Sequence, residues 1–263
     1  MNGVLCRRLI VAGLLVCLGA SVALAQRGGR SRRPQLDVAV EGNTPYDGRF
    51  VFVRLKYATG FGRFGNWIGN GGLPWSHDYP DGEVHFSKIL EELTLLNIRT
   101  NGSNILGMDD PELFNYPIAY MAEPGFWGVT EKEMTNLRSY LLKGGFLIFD
   151  DFRGGDWENL QQQMRVVLPE LNWIELDGTA KVFHSFFEID HPQDLPAPYG
   201  GLEATYWGLF ENNDPQKRLI AIANVNNDIS EYWEVSGSGL TIVELTNESY
   251  KFGVNYVIYG LTH

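Results

Sequence analysis

The strongest constraint on the fold is a capped helix that runs directly into a short apolar strand. Thr130 and Glu133 have the spacing of a capping box, in which the two residues exchange hydrogen bonds at the start of a helix. Gly144-Gly145 is expected to end that helix, and residues 146–149 follow as a continuous apolar strand. A strand reached through a helix usually pairs in parallel with an earlier one, so the sequence predicts β-α-β units.

The same alternation continues along the chain. Apolar and aromatic runs predict strands at residues 49–57, 98–101, 117–122, 173–176 and 219–224. Helical spacing predicts helices at residues 85–96, 157–167 and 250–259. We therefore expect one α/β domain over residues 49–263, with a mainly parallel sheet and helices on both faces.

The first 25 residues have the pattern of a signal peptide. Arg7 and Arg8 precede an apolar run over residues 9–18, and Ala23-Leu24-Ala25 offers small residues for cleavage before Gln26. The run is too short to span a bilayer, so no membrane span is expected after cleavage. The predicted location is periplasmic or secreted.

Residues 26–48 form an arginine-rich linker and lead-in. Four arginines in residues 26–34 favour a disordered tether, and electrostatic attachment to an acidic surface is the alternative. The formal charge of the whole chain is −11, and this acidity disfavours nucleic acid as a partner.

Cysteine chemistry is excluded from the exported domain. Cys6 and Cys17 both lie in the predicted signal peptide. The domain after cleavage therefore has no disulfide, no thiolate metal site and no cysteine nucleophile.

A long glycine-rich loop over residues 58–83 carries Trp67, Trp75, His77, Asp78 and Tyr79. Loops of this length in compact domains are usually functional or disordered, and the aromatic residues favour the first interpretation. The aromatic rings could stack on a sugar, as could Trp127 and Trp157, although such residues also serve simply as core.

Ligands of open parallel sheets bind at the carboxyl ends of the strands. This rule brings Tyr57, Glu123 and the Asp150-Asp151 pair to one edge, and Arg153 follows them. Side chains alternate along an extended chain, so one aspartate is expected to face the crevice while the other caps the next turn or helix. Asp150 is the first candidate for the crevice and Asp151 the second.

Two roles remain open for these aspartates. With His77 and Asp78 they could act as metal ligands or as a general acid and base. Alternatively, they accept backbone N–H bonds at the start of the helix predicted at residues 157–167. No cofactor is predicted and a divalent metal is left open, since the spacing fixes no ligand set.

Several motifs resemble one bacterial family, the domain-of-unknown-function family numbered 4159. They are Trp75-Ser76-His77-Asp78-Tyr79-Pro80, Asp110-Pro111-Glu112-Leu113, Glu123-Pro124-Gly125-Phe126-Trp127 and the run from Gly144 to Arg153 that contains Asp150-Asp151. The resemblance implies a three-layer fold similar to flavodoxin and to class I glutamine amidotransferases, but no established activity. It also implies that a carboxylate stands where those amidotransferases carry their cysteine nucleophile.

Two classes of function follow from these observations. The first is a non-catalytic envelope module that binds an unknown ligand or protein partner, with carbohydrate as one candidate. The second is a carboxylate-dependent or metal-dependent hydrolase that uses Asp150 or Asp151 with His77. An enzyme should bring His77 or Asp78 within reach of the aspartate pair, whereas a binding module need only expose aromatic rings there.

Overall fold

The computed structural model describes residues 42–59, 73–198 and 200–263. The predicted signal peptide, residues 26–41 of the predicted linker and Trp67 lie outside the described residues. The α/β domain predicted from Arg49 onward is described except for residues 60–72 and Tyr199.

The described residues contain one seven-stranded sheet. Its strands are β1 (Val53–Lys56), β2 (Asn104–Gly107), β3 (Ile118–Ala122), β4 (Phe146–Asp150), β5 (Ile174–Leu176), β6 (Thr205–Phe210) and β7 (Leu219–Val225). Their order across the sheet is β2-β1-β3-β4-β7-β6-β5. The five strands from β2 to β7 run parallel, whereas β6 and β5 extend the sheet in antiparallel fashion. The sheet is mainly parallel, as expected, with an antiparallel edge that the sequence did not reveal.

Five α-helices cover the two faces of the sheet in the described part of the chain. They are α1 (Asp81–Leu93), α2 (Glu131–Leu142), α3 (Asp156–Val167), α4 (Ile229–Glu234) and α5 (Val243–Thr262). Buried side chains of α2 and α3 pack with one face, and those of α1, α4 and α5 pack with the other. The domain is therefore an α/β structure with helices on both faces.

The capped helix and the strand after it form as the sequence predicts. The Glu133 amide donates to the Thr130 hydroxyl and the Thr130 amide donates to the Glu133 carboxylate, so the capping box is confirmed. A Cβ on Gly145 would lie 2.5 Å from the Tyr140 ring, so only glycine lets the chain turn this closely into β4. All five residues of β4 are buried, as in a strand covered on both faces.

Other elements differ from prediction. At residues 98–101 only Ile98 forms a bridge, to Phe50, and the strand itself lies at β2. Helix α5 begins at Val243 rather than near residue 250. Strand β6 and helix α4 were not predicted, because Gly208 interrupts the apolar run of β6 and the six residues of α4 are too few to show helical periodicity.

The parallel strands place their carboxyl ends at one edge of the sheet. The residues that follow β1, β3, β4 and β7 begin the loops at that edge. The order of the strands reverses direction between β1 and β3, and such switch points open a crevice in doubly wound sheets. Among the described helices, none combines the length and apolar character needed to cross a bilayer.

Candidate functional site

Two segments that are distant in sequence meet at the carboxyl edge of the sheet. The loop after β1 contributes His77, and the turn after β4 contributes Asp151. The Nδ1 atom of His77 lies 2.6 Å from Oδ2 of Asp151, and the Asp151 side chain is only 1% exposed. A short contact between an imidazole and a buried carboxylate forms the centre of the site.

Asp150 has a different role from its neighbour. Its carboxylate accepts hydrogen bonds from the Asn224 amide, from the backbone N–H groups of Ile229 and Ser230, and from the Tyr120 hydroxyl, at 2.9–3.2 Å. The residue is fully buried, and burial raises its pKa to about 6 despite these donors. Asp150 therefore holds the start of α4, and not the start of α3 that the capping interpretation predicted.

Backbone conformation directs the second aspartate into the crevice. Asp151 has φ +59° and Asp78 has φ +62°, both in the left-handed region that few non-glycine residues adopt. Such strained residues persist where surrounding contacts fix them, and they cluster at functional sites. The left-handed turn at Asp151 places its carboxylate beside His77 while Asp150 points toward α4.

A buried arginine holds the loop that carries His77. Arg54 on β1 donates from Nη1 to the carbonyl oxygens of Trp75 at 3.0 Å and His77 at 2.8 Å. Its Nε donates to Glu83 on α1, and both of these charged side chains are 1% exposed. The strand thus fixes the position of the loop backbone through a single guanidinium.

Asp78 is buried beside His77 and has one oxygen that accepts no hydrogen bond. Its Oδ2 accepts a hydrogen bond from the Ser230 hydroxyl at 2.6 Å. Its Oδ1 lies 3.2 Å from Nδ1 of His77 but is buried without accepting a hydrogen bond. Burial and the charge of Asp151 raise the pKa of Asp78, and the nearby His77 opposes that rise.

Asp228 brings a third carboxylate from the end of β7. Its Oδ1 accepts the Glu231 N–H at 2.9 Å and so caps α4. It also shares a hydrogen bond with Asp151, and burial together with the charges of Asp151 and Asp78 raises its pKa well above the ordinary value. Asp228 therefore has both a structural contact and a contact with the centre of the site.

The charges of these groups are strongly interdependent. Burial lowers the pKa of His77, but the hydrogen bond and charge of Asp151, with Asp78, outweigh burial and raise it to about 10. The imidazole is then a cation at neutral pH and offsets part of the negative charge of the aspartates.

The donor atoms are close enough to share one ion. One ligand atom from each of His77, Asp78, Asp151 and Asp228 can be chosen so that all four lie within 4.8 Å of one another. An imidazole with carboxylate oxygens suits a divalent cation such as Mn²⁺ or Zn²⁺. The described residues therefore include a group that could bind a metal.

A comparison with protein families covers nearly all of this fold and every residue of the cluster. The model of the family described as "Domain of unknown function (DUF4159)" matches residues 51–261. The chain belongs to the DUF4159 family. A search of curated proteins found no match to the sequence.

Cavity size alone would point elsewhere in this DUF4159 chain. An open cavity of about 770 Å³ lies beside α2, lined by Asp109, Lys132 and Lys143 among others, and a cavity of about 310 Å³ lies beside β5 and the end of α5. None of the three groups of described histidine and acidic residues that could hold a metal lines either cavity. The convergence of titratable groups therefore makes the carboxyl edge the candidate site.

The structure separates the predicted aromatic residues by burial. Trp75 and Trp127 are 7% and 0% exposed and pack in the core, and Tyr57 is buried with its hydroxyl 3.0 Å from the Ala122 carbonyl oxygen. Tyr79 and Trp157 are half-buried. The stacking surface predicted for a ligand is thus smaller than expected among the described residues.

The remaining predicted residues lie around the cluster. Glu123 is half-buried with φ +51° after β3, and its charge also raises the pKa of His77. Arg153 is exposed in the turn before α3. Both lie at the carboxyl edge, as the strand rule predicts.

Sequence reasoning did not select Asp228 or Arg54. Asp228 follows a buried strand, as Asp150 does, so the rule that selected Asp150 could have found it. The Asn226-Asn227-Asp228 run by itself has the composition of an ordinary turn, and its spacing matches no EF-hand calcium loop. Arg54 offers no such signal, because a cation within a strand ordinarily points to solvent.

Proposed function

We propose that this chain is a divalent-metal-dependent hydrolase whose active site is formed by His77, Asp78, Asp151 and Asp228. The observation that carries the proposal is the 2.6 Å contact between Nδ1 of His77 and Oδ2 of Asp151. It joins the loop after β1 to the turn after β4. Titratable groups with shifted pKa values that converge at the edge of a sheet are typical of catalysis.

Among the described aromatic residues, the burial of Trp75 and Trp127 disfavours the non-catalytic binding module, whereas Tyr79 and Trp157 are half-buried. A module of that kind needs exposed rings at the crevice, but Trp75 and Trp127 pack in the core. Buried carboxylates would also be unfavourable in a surface that only binds a partner, because each of them loses its hydration. A cation that neutralises them offsets this cost.

A divalent ion in this cluster would supply Lewis-acid chemistry. It would polarise the substrate and lower the pKa of a bound water. In the hydrolysis, the water oxygen would bond to the electrophilic centre as the bond to the leaving group breaks. One proton of the water would pass to a site carboxylate and from there to the leaving group, and the other would stay on the hydroxyl of the product. The carboxylate of Asp151 would accept that proton, since it belongs to the same cluster as the other ligand atoms.

The predicted signal peptide and the acidity of the crevice limit where the enzyme acts and which substrates it accepts. The predicted signal peptide favours action in the periplasm or outside the cell, and the acidic crevice favours a neutral or cationic substrate, with carbohydrate as the candidate class.

The parallel strand order β2-β1-β3-β4-β7 corresponds to the flavodoxin-like order with β7 in fifth place. That order supports the flavodoxin-like assignment within the α/β class.

Metal binding and hydrolysis test the proposal together. Protein dialysed against EDTA is titrated calorimetrically with MnCl₂ and ZnCl₂ and then assayed on chromogenic esters, amides and glycosides. We expect saturable binding, metal-stimulated hydrolysis, and a loss of more than about tenfold in metal affinity for Asp151→Asn. The exposed Asp194→Asn variant, outside the groups that could hold a metal, is the matched control and should behave as the wild type.

The outcomes separate the two classes of function. Equal metal affinity in Asp151→Asn and wild type would refute the metal site. Metal binding without hydrolysis of any probe would refute the hydrolase and favour the binding module.

A further inference from the structure

A second group of carboxylates adjoins the first one. Glu231 and Glu234 lie three residues apart on α4 and therefore share one face of that helix. One carboxylate oxygen from each of them and one from Asp78 lie within 4.8 Å of one another. Both glutamates are half-buried, so this second group faces the solvent side of the cluster.

Asp78 belongs to both groups. It is one of the four residues of the group that contains His77, and it is also the third member of the group that contains Glu231 and Glu234. A carboxylate has two oxygens that can bind different cations, so a shared carboxylate is the usual bridge in a site with two metal ions.

One buried oxygen of Asp78 accepts no hydrogen bond, and this supports a metal ion beside it. Its side chain is only 1% exposed and Oδ1 accepts no hydrogen bond. The nearest cationic atom is Nδ1 of His77 at 3.2 Å, and that atom already makes its shorter contact, 2.6 Å, with Asp151. Buried carboxylate oxygens are ordinarily paired with donors or cations, so a metal ion beside Oδ1 would complete its partners.

We propose that the site binds two divalent ions, with Asp78 bridging an inner ion held by His77, Asp151 and Asp228 to an outer ion held by Glu231 and Glu234. The inference rests on the proposed function, because it adds a second ion to the same centre. The half-exposed glutamates leave the outer ion open to water and substrate. Ions bridged in this way lie about 3.5–4 Å apart and clamp both the attacking and the leaving oxygen of a substrate.

Manganese stoichiometry and spin coupling test the second ion. MnCl₂ is titrated into EDTA-treated protein, bound metal is counted after gel filtration, and the EPR spectrum of the loaded protein is recorded. We expect two ions per chain in the wild type and the multiline spectrum of an exchange-coupled pair. The variant Glu231→Gln/Glu234→Gln should retain one ion and lose the coupling. The control Glu91→Gln/Glu92→Gln removes the same charge from exposed positions of α1 and should retain both ions.

Three further results would decide against the proposal. A wild type that binds a single uncoupled ion would overturn the second ion and leave the single-metal hydrolase standing, whereas absence of any bound manganese would overturn both. If the double variant unfolds, the variant Asp78→Asn tests the proposal instead, because loss of the bridging carboxylate should abolish exchange coupling. Coupling that persists in Asp78→Asn would contradict the bridging role.

Discussion

Arg54 and Glu83 form an ion pair in which both side chains are only 1% exposed. The pair links β1 to α1, and the other end of the guanidinium holds the carbonyl oxygens of Trp75 and His77. A single buried cation thus connects the core of the fold to the loop that carries the candidate site.

The first prediction separates these two roles of Arg54. Arg54→Met should lower the free energy of unfolding by about 3–5 kcal/mol, because it leaves the buried carboxylate of Glu83 unpaired. The double variant Arg54→Met/Glu83→Leu should recover part of that stability but not the metal affinity, since the loop stays unanchored. Urea unfolding and metal calorimetry measure the two effects. Arg49→Met, at an exposed ion pair, is the control, and recovery of metal affinity in the double variant would contradict a positioning role.

The second prediction concerns the two adjacent aspartates. Asp150→Asn should lower the free energy of unfolding by about 2 kcal/mol or more, because the new NH₂ group would face N–H donors of α4. Asp151→Asn should lower it by less than Asp150→Asn does, since asparagine tolerates the left-handed backbone and the relief of repulsion with Asp78 and Asp228 offsets the weaker contact with His77. Thermal and urea unfolding of the two variants give the comparison. A larger stability loss in Asp151→Asn would reverse the assignment of roles.

These two aspartates show which features of the site can be predicted from the sequence and which cannot. That strand β4 ends at the same edge as β1 follows from the predicted β-α-β units, so convergence of His77 with the aspartate pair could be expected. Which aspartate faces His77 depends on the positive φ of Asp151. Neither Asp150 nor Asp151 carries a sequence signal that reports that angle.

In the fold as well, elements that depend on neighbouring residues could be predicted, whereas contacts between distant residues could not. The capping box at Thr130 and the strand β4 could be predicted because the residues that specify each of them lie close together in the sequence. The position of Asp228 depends on the pairing of β7 with β4 and on a six-residue helix, which no local pattern encodes. Contacts made across the sheet therefore set the part of the site that the sequence left open.

The third prediction follows from the raised pKa of His77. The pKa is about 10 in the folded chain, compared with an ordinary 6.5 when unfolded, so the folded state binds the proton more tightly. This stabilisation is fully present below pH 6.5 and is lost as the pH rises through 10. Metal-free wild type should therefore lose stability between these values, and His77→Gln should lose less. Proton NMR of the ring follows the titration directly, and a midpoint near 6.5 would contradict the ion pair with Asp151.

The fourth prediction concerns export. The arginine pair, the apolar run and Ala23-Leu24-Ala25 predict cleavage before Gln26. Protein extracted from the cell envelope or medium should give an intact mass for a chain that starts at or near Gln26. Replacing Ala23 and Ala25 with bulky residues should retain the signal peptide, and a full-length species found only in the cytoplasm would refute the predicted location.

The last prediction joins the protonation of the site to metal binding. In the metal-free chain at pH 7, His77 holds its proton because of Asp151, and Asp228 has a pKa raised well above its ordinary value by burial and by the other aspartates. A cation must displace protons from its ligands, so binding should release about one or two protons per inner ion. Calorimetric titration in buffers of different ionisation enthalpy measures that release. It should fall in His77→Gln, which carries no titratable imidazole, and stay unchanged in Asp194→Asn. Metal binding without proton release would show that the ion binds away from His77 and Asp228.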